Sequence, residues 1–193
     1  SGAMTNSIDE IERSRCIFII GSNTSEAHPL VASRIFRAKA AGAKIIVADP
    51  RRIHIAHYAD IHVRQRLGSD VALLNGLLHI ILAQGWEQKE YIAARTEQFD
   101  ALRQAVAPNT PEHTADITGV GIDDLRAIAE AYARSESASI VYAMGITQHT
   151  TGVDNVKALA NLAMACGRLV EESFGVNPLR GQNIVQGACE MGA

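Results

Sequence analysis

The residues best suited to chemistry lie in one stretch near the end of the chain, at 177–192. Arg180 is its only fixed positive charge, and three amides follow it, Gln182, Asn183 and Gln186. A guanidinium is a planar group of donors that suits a carboxylate or a phosphate, while amides both donate and accept. Glycines and a proline interrupt the stretch, so the pattern predicts neither helix nor strand. Composition leaves two interpretations open, a loop wrapped around a polar ligand or a solvated chain end.

A second group of glycines and polar residues lies at four points that follow predicted strands or precede a predicted helix. They are Gly21, Ser22, Asn23, Asp49, Pro50, Arg51, Gly68, Asp70, Met144, Gly145 and Gln148. In an open parallel sheet, ligands bind outside the carboxyl ends of the strands. Gly21 lets backbone N–H groups approach an anion, the Asp49 carboxylate can accept from ribose hydroxyls, and Arg51 can pair with phosphate or stack on a base. These features predict a nucleotide site, and an ordinary exit from strand to loop is the alternative that they leave open.

Two common nucleotide-binding motifs are absent, and so is a recognisable metal motif. No G-x-G-x-x-G follows the first predicted strand, which disfavours a standard NAD site, and no G-x-x-x-x-G-K-[ST] occurs, which excludes a P-loop NTPase. His54, His57 and His62 lie close in sequence without an H-E-x-x-H pattern. We therefore interpret these histidines as surface residues rather than metal ligands.

Composition narrows the function class further. The net charge of -3 and an aromatic content of 5% argue against nucleic-acid binding. No apolar run approaches the ~20 residues of a membrane span. Cys16, Cys166 and Cys189 form no closely spaced pair, which excludes a C-x-x-C metal site built from this chain alone and favours a reducing, cytoplasmic location. The first residues lack the features of a secretory signal and do not begin with Met, so we expect a chain that is processed or cut from a longer protein.

The pattern of apolar residues predicts an α/β fold that positions both groups of residues. Strands are expected at 16–20, 43–48, 61–63 and 139–143, with helices after 29, after 70 and over 152–166. Strand, helix and strand within about 35 residues form a βαβ unit, which implies a parallel sheet. The segment 86–135 is predicted to be a helical insertion, with Thr96 as a helix cap and turns near 110 and 116. We expect a single domain over 1–193.

Six segments in fixed order carry a resemblance to a known family. They are Gly2–Asn6, Ile19–Asn23, Lys44–Arg51, Gly68–Asn75, Met144–Gln148 and Asn177–Asn183. The set resembles the molybdopterin-binding large (alpha) subunit of formate dehydrogenases, in the dimethyl-sulfoxide-reductase superfamily of molybdenum or tungsten oxidoreductases. The resemblance covers the chain from Gly2 to Gly192, and its segment 177–192 is the part most specific to formate dehydrogenases.

The resemblance implies a Rossmann-like domain, with helices on both faces of its sheet, that holds one of two molybdopterin guanine dinucleotides. The resemblance implies that Gly21, Ser22 and Asn23 lie along the dinucleotide and that Asp49 and Arg51 contact its guanosine end. Gly68 and Asp70 are implied to lie in the adjoining loop. Met144, Gly145 and Gln148 are implied to contact the phosphate or pterin, and Gln182 to lie near the pterin. Arg180 matches the arginine that orients the formate carboxylate. The implied parent enzyme oxidises formate to CO2 at molybdenum or tungsten, and the isolated piece is expected to be inactive.

Several parts of the implied enzyme are not in this chain. The [4Fe–4S] cysteines, the cysteine or selenocysteine that ligates the metal and the domain for the second dinucleotide belong to other parts of such subunits. Expected partners are the rest of the alpha subunit and electron-transfer subunits. The chain departs from the family pattern at 168–174, where a Gly-(Arg/Lys)-Pro turn is replaced, and at Ile184. Two alternatives stay open. One is another molybdopterin oxidoreductase, such as a nitrate reductase. The other is a structural large subunit, as in respiratory NADH dehydrogenase, and the retained Asp49, Arg51, Arg180 and Gln182 argue against this second alternative.

Overall fold

The computed structural model describes residues 4–169 and 173–179. Its sheet contains β1 (Cys16–Ile20), β2 (Lys44–Ala48), β3 (Ile61–Val63), β4 (Ala138–Tyr142) and β5 (Gly175–Pro178). All neighbouring strands are parallel, and their order across the sheet is β3-β2-β1-β4-β5. The chain moves outward in one direction through β1, β2 and β3 and then returns to the other side of β1 with β4. The strand order therefore reverses between β1 and β4, which is where a ligand crevice opens in sheets of this kind.

Helices cover both faces of the sheet. They are α1 (Ile8–Arg13), α2 (Thr24–Ala27), α3 (Pro29–Ala40), a 3-10 helix (His54–Tyr58), α4 (Asp70–Ala83), α5 (Lys89–Arg95), α6 (Phe99–Val106), α7 (Pro111–Thr118), α8 (Ile122–Ala133), α9 (Met144–Thr147) and α10 (Gly152–Ala165). Pro29 is the first residue of α3, where a missing N–H leaves no bond unmade. None of the helices described is long and apolar enough to cross a membrane.

Alternate residues of β1 enter different cores on the two faces of the sheet. Phe18 and Ile20 of β1 pack into a core with α4, α8 and α10, while Ile17 and Ile19 pack into a second core with α1 and α3. Because successive side chains of a strand point to opposite faces, β1 must be apolar at every position, as its sequence is. The predicted α/β class, with a parallel sheet, helices on both faces and a helical insertion, is confirmed, and the single domain over 1–193 stays a prediction.

β5 corrects the prediction that the segment from Asn177 is neither helix nor strand. Asn177 pairs with Val141 and Pro178 with Tyr142, in register with β4. Proline lacks the N–H that a central strand needs, and β5 forms the last strand of the described sheet, where this loss is tolerated. The described chain after β5 ends at Leu179, which lies directly before Arg180 in the sequence.

The helical insertion also differs in detail from its prediction. The residues near 110 and 116, predicted as turns, form α7, because Thr110 Oγ1 accepts from the His113 N–H and Pro111 takes the first helical position. Thr96 does not cap the following helix: it ends α5, and its hydroxyl donates to the Ile92 carbonyl at 2.7 Å. The same residue types occur at helix ends and in turns, so the residues that bound a short segment do not show whether it is a helix or a turn.

Candidate functional site

A crevice of about 180 Å³ opens at the carboxyl edge of the sheet, beside the reversal point between β1 and β4. The residues that line it are Gly21, Asp49, Pro50, Arg51, Gln65, Arg66, Leu67, Asp70, Gly145 and His149. They come from the ends of β1, β2, β3 and β4, so the parallel sheet brings together residues that are far apart in sequence. The predicted residues Gly21, Asp49, Pro50, Arg51, Asp70 and Gly145 are thus brought to one place.

Two glycines form the closest backbone contact of the crevice. Gly21 has a left-handed φ of +57°, and the Gly145 N–H donates to the Gly21 carbonyl at 3.0 Å. A Cβ on Gly145 would stand 2.6 Å from the Gly21 oxygen, and a Cβ on Gly21 would stand 2.8 Å from the Gly145 carbonyl carbon. Because such approaches exclude any side chain, glycine is required at both positions to close the gap between β1 and β4.

Asp49 and Arg51 form a short, ordered turn at the end of β2. The Asp49 carboxylate is buried, and its Oδ1 accepts from the Arg51 N–H at 2.8 Å. The Arg51 Nε lies 3.6 Å from the same oxygen, yet 71% of the Arg51 side chain is exposed. The turn therefore fixes an anionic acceptor inside the crevice and leaves a cation at its rim.

A second buried carboxylate, Asp70, begins α4 and is held by a residue that the sequence analysis missed. Gln65 Nε2 donates to Asp70 Oδ1 at 3.1 Å and lies 3.5 Å from the Ala48 carbonyl. A carboxylate at the first turn of a helix also interacts favourably with the helix dipole. Gln65 lies between β3 and Gly68, in a polar run at 64–66, and that run is the signal that could have found it.

Three other lining residues were also missed. His149 Nε2 lies 2.8 Å from the Gly145 carbonyl, which can only accept, so this nitrogen carries the hydrogen. Arg66 donates to the carbonyls of Asp116 and Ile117 at the end of α7, which ties the crevice to the helical insertion. Leu67 is 82% exposed at the rim. His149 directly follows the Met144–Gln148 segment, which was the available signal for it.

The remaining predicted site residues do not line the crevice. Ser22 is buried and its hydroxyl lies 2.9 Å from that of Thr24. Asn23 precedes α2, and its buried Oδ1 accepts no hydrogen bond from the described part of the chain. Met144 begins α9, and Gln148 directly follows its last residue, Thr147.

Gly68 lies in the turn before α4, with a φ of +78° and open space around it. Arg180 and Gln182 lie outside the described residues.

A larger cavity, about 550 Å³, lies at the opposite, amino edge of the sheet. Its buried cation, Arg168, donates to the carbonyls of Ala133, Ser135 and Glu136 at the end of α8, and its guanidinium lies 4.8 Å from the Phe174 ring centre. These contacts make Arg168 a cap for the helix C-terminus. We place the functional site in the smaller crevice, because there several buried acceptors from different strands converge.

Comparisons with known proteins identify the family of this chain. A family model described as molybdopterin oxidoreductase matches residues 1–193. The chain is 53% identical over its whole length to the F420-dependent formate dehydrogenase subunit alpha of Methanocaldococcus jannaschii and 47% identical to formate dehydrogenase H of Escherichia coli. It spans 29% and 27% of those relatives, respectively.

A solved structure extends the comparison to the fold. Acetylene hydratase from Pelobacter acetylenicus superposes on 88% of this chain with a TM-score of 0.80 and 26% sequence identity, and the match covers 25% of that protein. Its superposition agrees with the α/β architecture described above. Since the family model covers every residue, the chain belongs to the molybdopterin oxidoreductase family.

Proposed function

We propose that this chain is part of a formate dehydrogenase alpha subunit and binds one molybdopterin guanine dinucleotide of a molybdenum or tungsten centre. The observation that carries the proposal is the convergence of Asp49, Asp70 and the Gly21–Gly145 contact in one crevice. This crevice occurs in a chain that is 47–53% identical, from end to end, to formate dehydrogenase subunits. Family membership supports the proposal of a bound pterin, and the crevice supports the proposal of a nucleotide attached to it.

The residues of the crevice fit the nucleotide end of such a cofactor. Its buried groups are acceptors: the Asp49 and Asp70 carboxylates, and the Gln65 Oε1, which accepts no hydrogen bond from the described residues. Ribose hydroxyls and the N–H groups of a base are the donors that would satisfy them. Arg51, exposed at the rim, is a cation for phosphate. A buried acceptor without a donor, such as the Gln65 Oε1, is costly, so a ligand that donates to it is stabilised here.

The substrate role is assigned to Arg180, and the pterin contact to Gln182. Leu179 is buried, and its N–H donates to the Tyr142 carbonyl at 2.7 Å, so the chain is anchored at the end of β4 one residue before Arg180. A guanidinium can bind the formate carboxylate through two parallel hydrogen bonds. When bound, the cofactor would supply a metal able to accept the two electrons that formate releases as it becomes CO2 and a proton.

The full-length protein would supply the parts that this chain lacks. We assign the [4Fe–4S] cluster, the cysteine or selenocysteine ligand of the metal and the second dinucleotide site to other parts of the subunit, with electron-transfer subunits as partners and a cytoplasmic location. Ser22, Asn23, Gly68, Met144 and Gln148 are retained as residues along the cofactor outside the crevice lining. The isolated piece should show no formate turnover.

The test is the Arg180→Ala substitution in the full-length subunit. If Arg180 orients formate, kcat/KM for formate falls by about 100-fold or more, because a charge-assisted bidentate contact made in the transition state is lost. The metal and pterin content should stay near that of the unsubstituted protein. Arg134→Ala, which removes an exposed arginine of the i,i+4 pair with Glu130, is the matched control. Loss of pterin in Arg180→Ala with unchanged activity per bound metal would contradict the substrate role.

A further inference from the structure

Gln65 is a buried amide whose orientation is determined by its neighbours. Its side chain is 97% shielded, and both groups near Nε2, the Asp70 carboxylate and the Ala48 carbonyl, are acceptors. An amide beside two acceptors must turn its NH2 toward them, so its oxygen faces the other way. That Oε1 is buried and receives no hydrogen bond from any described residue. Gln65 lines the crevice and therefore carries an acceptor that no described residue uses.

The unused oxygen lies on the same side chain that holds Asp70. The carboxylate of Asp70 and the Oε1 of Gln65 are both acceptors, and neither can donate. A base edge with two adjacent N–H donors suits such a pair, and guanine has these donors at N1–H and the 2-amino group. Hypoxanthine lacks the 2-amino group, and cytosine has an acceptor nitrogen beside its amino group. The acceptor pair thus favours guanine over both.

We propose that Gln65 sets the base specificity of the crevice: its Nε2 holds the Asp70 carboxylate, and its Oε1 accepts from the 2-amino group of guanine. The inference rests on the proposed function, which places a guanine dinucleotide in this crevice. Gln65 is then both a contact to the base and a positioning residue for Asp70. Arg66, the next residue along the chain, donates to the carbonyl of Ile117, so its guanidinium does not compete with the base for the Gln65 Oε1.

The test compares GDP, IDP and CDP as probes of the cofactor-free, full-length subunit by calorimetry. The unsubstituted protein should bind GDP about tenfold more tightly than IDP, since one hydrogen bond to a buried acceptor separates the two ligands. In Gln65→Leu, which keeps the bulk and removes the amide, the GDP-to-IDP ratio should fall at least about threefold. Gln104→Leu removes an exposed glutamine of α6 and should keep the ratio of the unsubstituted protein.

The outcomes separate this inference from the proposed function. If GDP binds but the GDP-to-IDP ratio is the same in Gln65→Leu and the unsubstituted protein, the role of Gln65 is wrong and the nucleotide site stands. If none of the three nucleotides binds to the unsubstituted protein, the guanine site is wrong, and the inference falls with it. Gln65→Asn, which keeps an amide but withdraws it from the crevice, provides a second variant if Gln65→Leu does not fold, and the same loss of discrimination is expected.

Discussion

The two edges of the sheet use buried polar groups in opposite ways. At the amino edge, Arg168 donates to carbonyls at the end of α8, so its charge is used in holding the protein together. At the carboxyl edge, Asp49 and Asp70 are buried acceptors, and Gln65 Oε1 has no donor among the described residues. The larger cavity lies at the amino edge. The convergence of buried acceptors at the ends of several strands, rather than cavity size, therefore identifies the candidate site.

The largest effect is expected when the glycine contact of the crevice is broken. In the full-length subunit, Gly145→Ala places a Cβ 2.6 Å from the Gly21 oxygen, so the ends of β1 and β4 must separate. We expect bound pterin to fall by about tenfold or more, measured by fluorescence of the released, oxidised cofactor. Gly121→Ala is the control, because its Cβ meets only the Asp124 carboxylate, at 3.5 Å. Full cofactor content in Gly145→Ala would show that the crevice tolerates widening.

The next effect concerns stability at the amino edge. Arg168→Met removes the donors to the carbonyls that end α8, and we expect the free energy of unfolding to fall by about 2 kcal/mol. Denaturant titration of the full-length subunit measures the change, and Arg134→Met, at an exposed site, should lie within about 0.5 kcal/mol of the unsubstituted protein. Equal stability of the two variants would contradict the capping role of Arg168.

A smaller effect is expected at acid pH, away from both edges. Hydrogen bonds from Asn6, first, and from Ser7 and Ser173 lower the pKa of Glu10 from 4.5 to about 2. A lowered carboxyl pKa stabilises the fold above the unfolded value, and this contribution is lost as the pH falls from about 4.5 toward 2. Glu10→Gln should therefore flatten the decline in unfolding free energy over that interval.

The control for the acid effect is Asn6→Ala, which removes the largest cause of the shift and should flatten the same decline in part. Glu10 joins α1 to the turn before β5, since one of its oxygens accepts from the Ser173 N–H at 3.2 Å. An acid transition identical in Glu10→Gln and the unsubstituted protein would show that this link contributes nothing to stability.

The framework of the fold could be predicted from the sequence, because buried parallel strands are continuous apolar runs bounded by glycine or aspartate. β1 ends at Ile20, directly before Gly21, and β2 ends at Ala48, directly before Asp49, as predicted. β5 could not be predicted, because it is short, contains Pro178 and depends on its pairing with β4. Sequence periodicity carries no information on pairing between distant segments.

The candidate site was predictable only in part, for a related reason. Residues at strand ends, such as Asp49 and Gly145, follow from the rule for parallel sheets. Gln65 does not, because its importance comes from a hydrogen bond to Asp70 and from an oxygen without a donor, and both are properties of the folded chain. His149 likewise gains meaning only from its contact with the Gly145 carbonyl.

The central claim is that the carboxyl-edge crevice holds a guanine nucleotide and the amino-edge cavity does not. The most direct test measures GMP released by acid from the purified full-length subunit carrying Asp70→Asn or Arg168→Met. Asparagine keeps the shape of Asp70 but replaces an acceptor by a donor, so GMP per protein should fall at least about tenfold, while Arg168→Met should retain it. Normal GMP in Asp70→Asn together with loss of GMP in Arg168→Met would contradict the account.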